Sequence, residues 1–287
     1  MLEQIRTITR RTLPVGMHAQ LRRQLLRTGL GRMAPALLWG NPPGPSGEAV
    51  RLLSQANFEH ERMRIRQTVQ TVLSADTCEL ADRAFLLEMV RGIGIPFNIW
   101  SGYGAFHGYG NSSDLGMIQV PMEYVDLLLL LRRYPIRTFC EIGVDFGGFT
   151  ALTAAYLKRM CGLEEYHCVD VRPRFVDREF YERLLPLVFH IPATSNDLCG
   201  QIFDAVFCDG DHSYWWTKRD FLNLGRYAGI FCLHDIKAHE YDHQEGGVVR
   251  FWAEFKESFR DRCSILEISH SGPAWMGIGV AFMNEPL

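Results

Sequence analysis

The sequence predicts an α/β protein: a doubly wound, mostly parallel sheet of seven strands with a C-terminal antiparallel hairpin, preceded by a helical N-terminal extension. Three observations carry this. From Arg137 onward, short apolar runs alternate with helical patterns, and strands separated by helices imply a parallel doubly wound sheet. The last two runs, Cys263–Ile268 and Met276–Met283, are joined only by a Ser-Gly-Pro loop, which permits a hairpin but not a helical crossover. Acids and histidines recur at the ends of the parallel runs, where open sheets of this kind bind ligands.

Taken in order, residues 1–40 stand apart as a basic amphipathic segment. Arg6, Arg10, Arg11, Arg22, Arg23, Arg27 and Arg32 face a single acid, Glu3, and are interleaved with Ile5, Ile8, Leu13, Leu21, Leu25, Leu26 and Leu30. Such a stretch either lies on an anionic membrane surface or packs as a helix with its arginines solvated. Residues 41–117 form a second segment, opened by the linker Asn41-Pro-Pro-Gly-Pro-Ser-Gly47. Helices are expected over Glu48 to about Ser74 and over Cys78 to Arg91. A glycine- and aromatic-rich stretch, Ile99–Gly110, follows; it reads equally as a lid over a pocket or as an irregular packed loop.

Residues 118–287 form the third segment. It begins with a helix over Val120–Arg133, with Pro121 in its first turn. Strands are expected at Thr138–Ile142, Tyr166–Val171, Leu187–Ile191, Phe203–Asp209 and Ile230–Asp235. Helices are expected at Phe149–Met160, Val176–Leu185, Tyr214–Tyr227 and Val248–Phe259.

The bulk numbers exclude several classes. The 287 residues carry a net charge of −3, with 47% hydrophobic and 22% charged residues, which is ordinary for a soluble globular chain and gives no footprint for nucleic acid. No apolar run approaches a membrane span, and no secretory leader is evident. The eight cysteines include no Cys-x-x-Cys pair, and Cys140, Cys168, Cys208, Cys232 and Cys263 fall inside apolar runs. Buried free thiols in a reducing cytoplasm are the expectation.

The stretch Thr138–Thr150 is the most informative. Glu141, Gly143 and the pair Gly147-Gly148 separate an apolar run from a helical pattern, which reads as strand, tight turn, helix. The spacing Gly-x-x-x-Gly-Gly is not the dinucleotide form. An acid before the first glycine suits a ligand with a cationic end, such as the amino group of S-adenosylmethionine (SAM); a plain helix-start turn is the alternative.

Four motifs appear in order: Glu141-Ile-Gly-x-x-x-Gly-Gly148, Asp170 ending the second strand, Cys208-Asp-Gly-Asp-His-Ser-Tyr214 ending the fourth, and Leu233-His-Asp-Ile236 ending the fifth. Lys218 and Asp220 follow the third of these on a helix. Over residues 118 to 283 this set resembles the class I SAM-dependent methyltransferases and their Rossmann-like sheet. Within them it is most similar to the small-molecule O-methyltransferase branch, which includes methyltransferase family 24, cephalosporin-hydroxylase-like and macrolide-sugar methyltransferase proteins.

The resemblance implies SAM as cofactor and a hydroxyl on a sugar or another specialised small molecule as acceptor. It implies that Gly143, Gly147 and Gly148 let the first loop pass close under the methionine part, with Glu141 helping to hold that end. Asp170 would accept hydrogen bonds from the ribose hydroxyls, or else cap the following turn. Adenine contacts would follow the third strand near Thr194, Ser195, Asn196 and Asp197. Asp209 would lie between cofactor and acceptor.

Methyl transfer to a hydroxyl needs a base or a metal to remove the proton. The candidates are Asp209, Asp211, His212, His234 and Asp235. In one mechanism Asp209 and Asp235, with His234, bind Mg²⁺ or another divalent cation. In the other no metal binds and His212 or His234 acts as base. In metal-dependent relatives an acid stands where this chain has His234, and imidazole suits transition metals better than Mg²⁺. Trp215 and Trp216 follow the fourth-strand motif; one ring is available to close the acceptor pocket while the other is expected to pack in the core, and core packing of both is the alternative. His239 and His243 flank a lid expected at Lys237–Gly247, where a solvated loop is the plainer role for both.

Two other functions stay open: a nicotinamide-dependent oxidoreductase, and a non-catalytic binding protein held at a membrane surface by residues 1–40. Homo-oligomerisation is also open.

Overall fold

The computed structural model describes residues 47–95, 115–270 and 276–283. The basic segment 1–40, the linker before Gly47, the aromatic stretch Ile99–Gly110 and the Ser-Gly-Pro link lie outside the described residues.

Seven strands form one sheet in the order β3-β2-β1-β4-β5-β7-β6. They are β1 Thr138–Ile142, β2 Glu165–Val169, β3 Leu187–His190, β4 Ala205–Cys208, β5 Ile230–His234, β6 Cys263–Ile268 and β7 Ile278–Met283. The first five run parallel. β7 pairs antiparallel with both β5 and β6. The chain builds outward from β1 to β3, then returns to lay β4 on the other side of β1. The crevice between the carboxyl ends of β1 and β4 is therefore the topological switch point, where such sheets place ligands.

The helices are α1 Gly47–Ser74, α2 Arg83–Ile93, α3 Pro121–Leu131, α4 Gly148–Met160, α5 Arg178–Glu182, α6 Tyr214–Asn223 and α7 Gly247–Phe259. Strand alternation sends Phe139, Tyr166, Cys168 and Phe207 into one core with α1 to α4. Cys140, Val206, Phe231 and Leu233 go into the other, with α6 and α7. α4 is apolar on nearly every side because it lies between the sheet and α1. α1 buries Ile65, Val69 and Val72, spaced to share one helical face. Arg62 and Arg66 of α1 both pair with Asp177, just before α5. α1 is thus fastened to the body by apolar packing and by charge. All eight cysteines are free, with only Cys78 and Cys199 exposed.

Several elements depart from expectation. The helix expected over Cys78–Arg91 is broken: Glu79–Ala81 is a 3₁₀ turn, and Asp82 ends it and caps α2 by accepting from Phe85 N. Val176–Leu185 shrinks to α5, because Asp177 is left-handed (φ 60°) and Pro186 disfavours helix at Leu185. Tyr214–Tyr227 divides into α6 and a 3₁₀ turn at Gly225–Tyr227. The last strand begins at Ile278, since Met276 and Gly277 both have positive φ. Neither tryptophan packs in the core: Trp215 is 59% exposed and Trp216 37%. α6 turns Tyr214, Thr217 and Phe221 inward, and positions 215 and 216 are rotated off that face.

Candidate active site

Gly143 makes the crevice geometrically possible. It has φ +93°, and a Cβ there would lie 2.2 Å from the backbone oxygen of Asp209. Only glycine lets the loop after β1 pass so closely over the end of β4. Gly147, also left-handed, caps α4, and the Phe175 ring lies where its side chain would be. Gly148 opens α4 against the Leu115 carbonyl, 3.0 Å from a built Cβ. The glycine turn is thus closely packed on three sides: by β4, by the loop after β2, and by the segment at Leu115.

Glu141 sits within the core, 1% exposed. Tyr166 and Thr150 both donate to its Oε2, at 2.6 and 2.7 Å. Burial raises its pKa to about 8, against the opposing pull of those two bonds. Its carboxyl therefore lies between the sheet and α4. Asp170 follows β2, and its carboxylate accepts from Asp145 N at 3.0 Å and Arg172 N at 2.8 Å. It ties the glycine turn to the loop after β2. Ser195 is buried and donates to Asp220 at 2.6 Å, while Asn223 donates to Ser195. Burial pushes Asp220 up to about 7.

Asp209, His212, His234 and Asp235 come together at the ends of β4 and β5, with potential ligand atoms all within 4.8 Å of one another. His234 Nδ1 lies 3.0 Å from Asp209 Oδ1 and 3.5 Å from Asp235 Oδ1. His212 Nε2 lies 2.8 Å from Asp235 Oδ2 and 3.5 Å from Asp209 Oδ1. Despite the 2.8 Å distance, His212 Nε2 and Asp235 are not aligned as a hydrogen bond, and both His212 Nε2 and His234 Nε2 are buried without a hydrogen-bond partner. Asp235 is left-handed, φ 63°, an uncommon conformation outside glycine that places its carboxylate back against His212.

The electrostatics follow from the pairing. Burial works to remove the proton from each imidazole, but the two carboxylates outweigh it and raise both pKa values. Burial would raise Asp209, but the imidazoles hold it well below the usual carboxylate range.

Two contributors were not foreseen. Gln119, just before α3 and 3% exposed, donates from Nε2 to Asp209 Oδ2 at 2.6 Å. Its one sequence signal is a polar amide inside the apolar run Met117–Val120. Tyr241 stacks on His212 with ring centroids 4.3 Å apart. The expected lid segment contains a 3₁₀ turn, His239–Tyr241, and thereby covers His212. His239 and His243 are exposed and bond within that loop, to Asp242 and to the Glu240 carbonyl. Asp211 is exposed and accepts from Ser213 N, holding the turn before α6.

Residues 140–236 match a family model described as a methyltransferase domain, a span that contains both the glycine turn and the cluster. No curated protein matches the chain. Among solved structures, the chain is similar to the O-methyltransferase TomG of Streptomyces achromogenes, involved in tomaymycin synthesis and solved with SAM. The identity is 15%, over 67% of this chain and 91% of that one, with a TM-score of 0.43. It is similar to an SAH-bound methyltransferase of Podospora anserina at 13% identity, over 86% and 100% of the two chains, with a TM-score of 0.43. It is also similar to an O-methyltransferase of Bacillus cereus in complex with SAH at 14% identity, over 76% and 96%, with a TM-score of 0.41. At these scores the likenesses say nothing of reaction or acceptor. The family match spans about a third of the chain, and within it the sheet order puts the glycine turn beside the end of β4.

Proposed function

We propose that this protein transfers the methyl group of SAM to a hydroxyl of a small molecule, with a sugar or another specialised metabolite as the expected acceptor. The observation that carries this is the Asp209–His212–His234–Asp235 cluster, half-buried at Asp209 and His212 and buried at His234 and Asp235, set beside the glycine turn at the switch point of the sheet. SAM supplies a methyl group already activated by its sulfonium, so the protein's task is to position the acceptor and accept its proton. Gly143 and Gly147 let the turn pack closely over the end of β4 and beneath Phe175, and the N-terminus of α4 follows it without a side-chain cap. Asp170 is the acid assigned to the ribose hydroxyls in this proposal; Asp145 N and Arg172 N fix its rotamer.

The cluster fits a divalent transition metal better than Mg²⁺. Two imidazoles stand among two carboxylates, with one potential ligand atom from each within reach of a common centre, a mixed nitrogen and oxygen donor set that suits such an ion. Asp209, His212, His234 and Asp235 would hold it, and a cation bound there would acidify the acceptor hydroxyl. A second reading rests on one geometric fact. If His234 Nδ1–H donates to Asp209 Oδ1, the tautomer is fixed and Nε2 is left as a base oriented by a carboxylate.

The two readings differ in pH dependence. A metal-free base must first lose its proton, so its activity rises only as pH climbs through the raised imidazole pKa. With a cation held by these residues, the imidazoles would be deprotonated already at neutral pH, and transfer would not require the rise to alkaline pH. Calorimetric titration with SAH tests the common claim: saturable binding is expected, and none in metal-replete or metal-free buffer would sink it. Methyl transfer from labelled SAM to a panel of sugars, at pH 7 and 9 with Mn²⁺ or chelator, then separates the mechanisms.

A further inference from the structure

We infer that Gln119 is the residue that receives the α-ammonium group of the methyl donor, a contact the sequence suggested for Glu141. The inference rests on the SAM-binding reading above and goes further by assigning the cationic end to a residue outside the family match, which spans residues 140–236.

Gln119 Oε1 is buried and has no hydrogen-bond partner; among the described residues it is the one such carboxyl or amide oxygen. The orientation of the amide is fixed by its other end, since Nε2 donates to Asp209 Oδ2 at 2.6 Å and a flipped amide would set oxygen against a carboxylate. A buried carbonyl without a donor is costly, so a ligand N–H at that point would be favoured.

The placement is right for the methionine end of the donor. The segment leading to Gln119 passes Leu115 and Gly116 against Gly148, at the start of α4. It ends at Asp209, whose backbone oxygen lies against Gly143. Gln119 therefore sits on the wall that runs from the glycine turn to the end of β4. The two nearby carboxylates already accept hydrogen bonds. Glu141 Oε2 takes Tyr166 and Thr150 inside the core. Asp209 takes His234 on Oδ1 and Gln119 on Oδ2.

The test is calorimetric titration of the full chain with two ligands, SAH and the SAH analogue that lacks only the α-amino group. The wild type is expected to prefer SAH. In Gln119→Met, which keeps volume but loses the amide, SAH affinity is expected to fall about tenfold, the scale of one charged hydrogen bond. Affinity for the des-amino analogue should stay within about twofold, so the preference is erased. Gln119→Asn, which withdraws the amide by one methylene, is expected to act in the same direction and serves if the methionine variant does not fold. Unchanged SAH affinity in the folded variant overturns the inference. So does an equal loss for both ligands, which would mark Gln119 as structural only. Failure of the wild type to bind SAH at all would instead overturn the SAM reading itself.

Discussion

At Glu141, a carboxyl shut between sheet and helix has a raised pKa of about 8 because burial outweighs the bonds from Tyr166 and Thr150. From the ordinary carboxylate range up to that value, the folded chain holds a proton the unfolded chain has released. Stability therefore falls as pH rises through this window and levels off above it. Glu141→Gln removes the titration. Its stability relative to wild type should grow between pH 5 and 8.5, by on the order of a few kcal/mol, as read from urea midpoints. A difference independent of pH would contradict the burial reading. Gly143→Ala belongs to the same scale: its Cβ would meet a backbone oxygen rather than a side chain that could move. It should cost more than about 1 kcal/mol in stability and abolish SAH binding by calorimetry. The acids and histidines of the cluster were legible because strand ends are recognisable and ends of neighbouring strands meet. Gln119 was not, because its partner lies 90 positions away and only the folded chain brings them together.

Among the elements, the breaks are more informative than the runs. β1 and β6 fall where their apolar patterns put them, over Thr138–Ile142 and Cys263–Ile268. The expected runs ending at Val171, Ile191, Asp209 and Asp235 overshoot their strands at the carboxyl end. In each case the residues beyond the last ladder pair turn into the loops at the carboxyl edge of the sheet, and sequence pattern does not mark where pairing stops. Asp82 shows the converse, a capping acid hidden inside a helical pattern. Asp82→Ala should destabilise the protein by about 1 kcal/mol through loss of the bond to Phe85 N, measured as a shift in denaturation midpoint. β7 carries a second test. Gly279 lies under the Trp252 indole, with a built Cβ 2.5 Å from the ring. Gly279→Ala should cost about 1–3 kcal/mol by overpacking, with a red-shifted tryptophan emission as the ring is displaced.

For the molecule as a whole, the notable feature is that α1 is part of the folded body. Ile65, Val69 and Val72 share a core with the sheet, and Arg62 and Arg66 converge on Asp177. The alternation of strands and helices made the sheet legible from the sequence. The docking of α1 was not, since an amphipathic helix states that it has a buried face but not which surface covers it. Asp177→Asn keeps a residue tolerant of the left-handed backbone but removes the charge both arginines share. Hydrogen exchange should quicken across residues 57–74 while β1 and β4 stay protected, reflecting about 1–3 kcal/mol lost at that junction. The proposed chemistry depends on the same architecture, because the wall that carries Gln119 reaches Asp209 only while the segment before α3 remains seated on the glycine turn. The most direct measurement is a crystal structure of the full chain with SAH. It should show the thioether sulfur in the crevice between the ends of β1 and β4, turned toward Asp209 and His234. SAH bound elsewhere, or lying in the crevice with its sulfur facing away from both residues, would contradict the assignment of this cluster to methyl transfer.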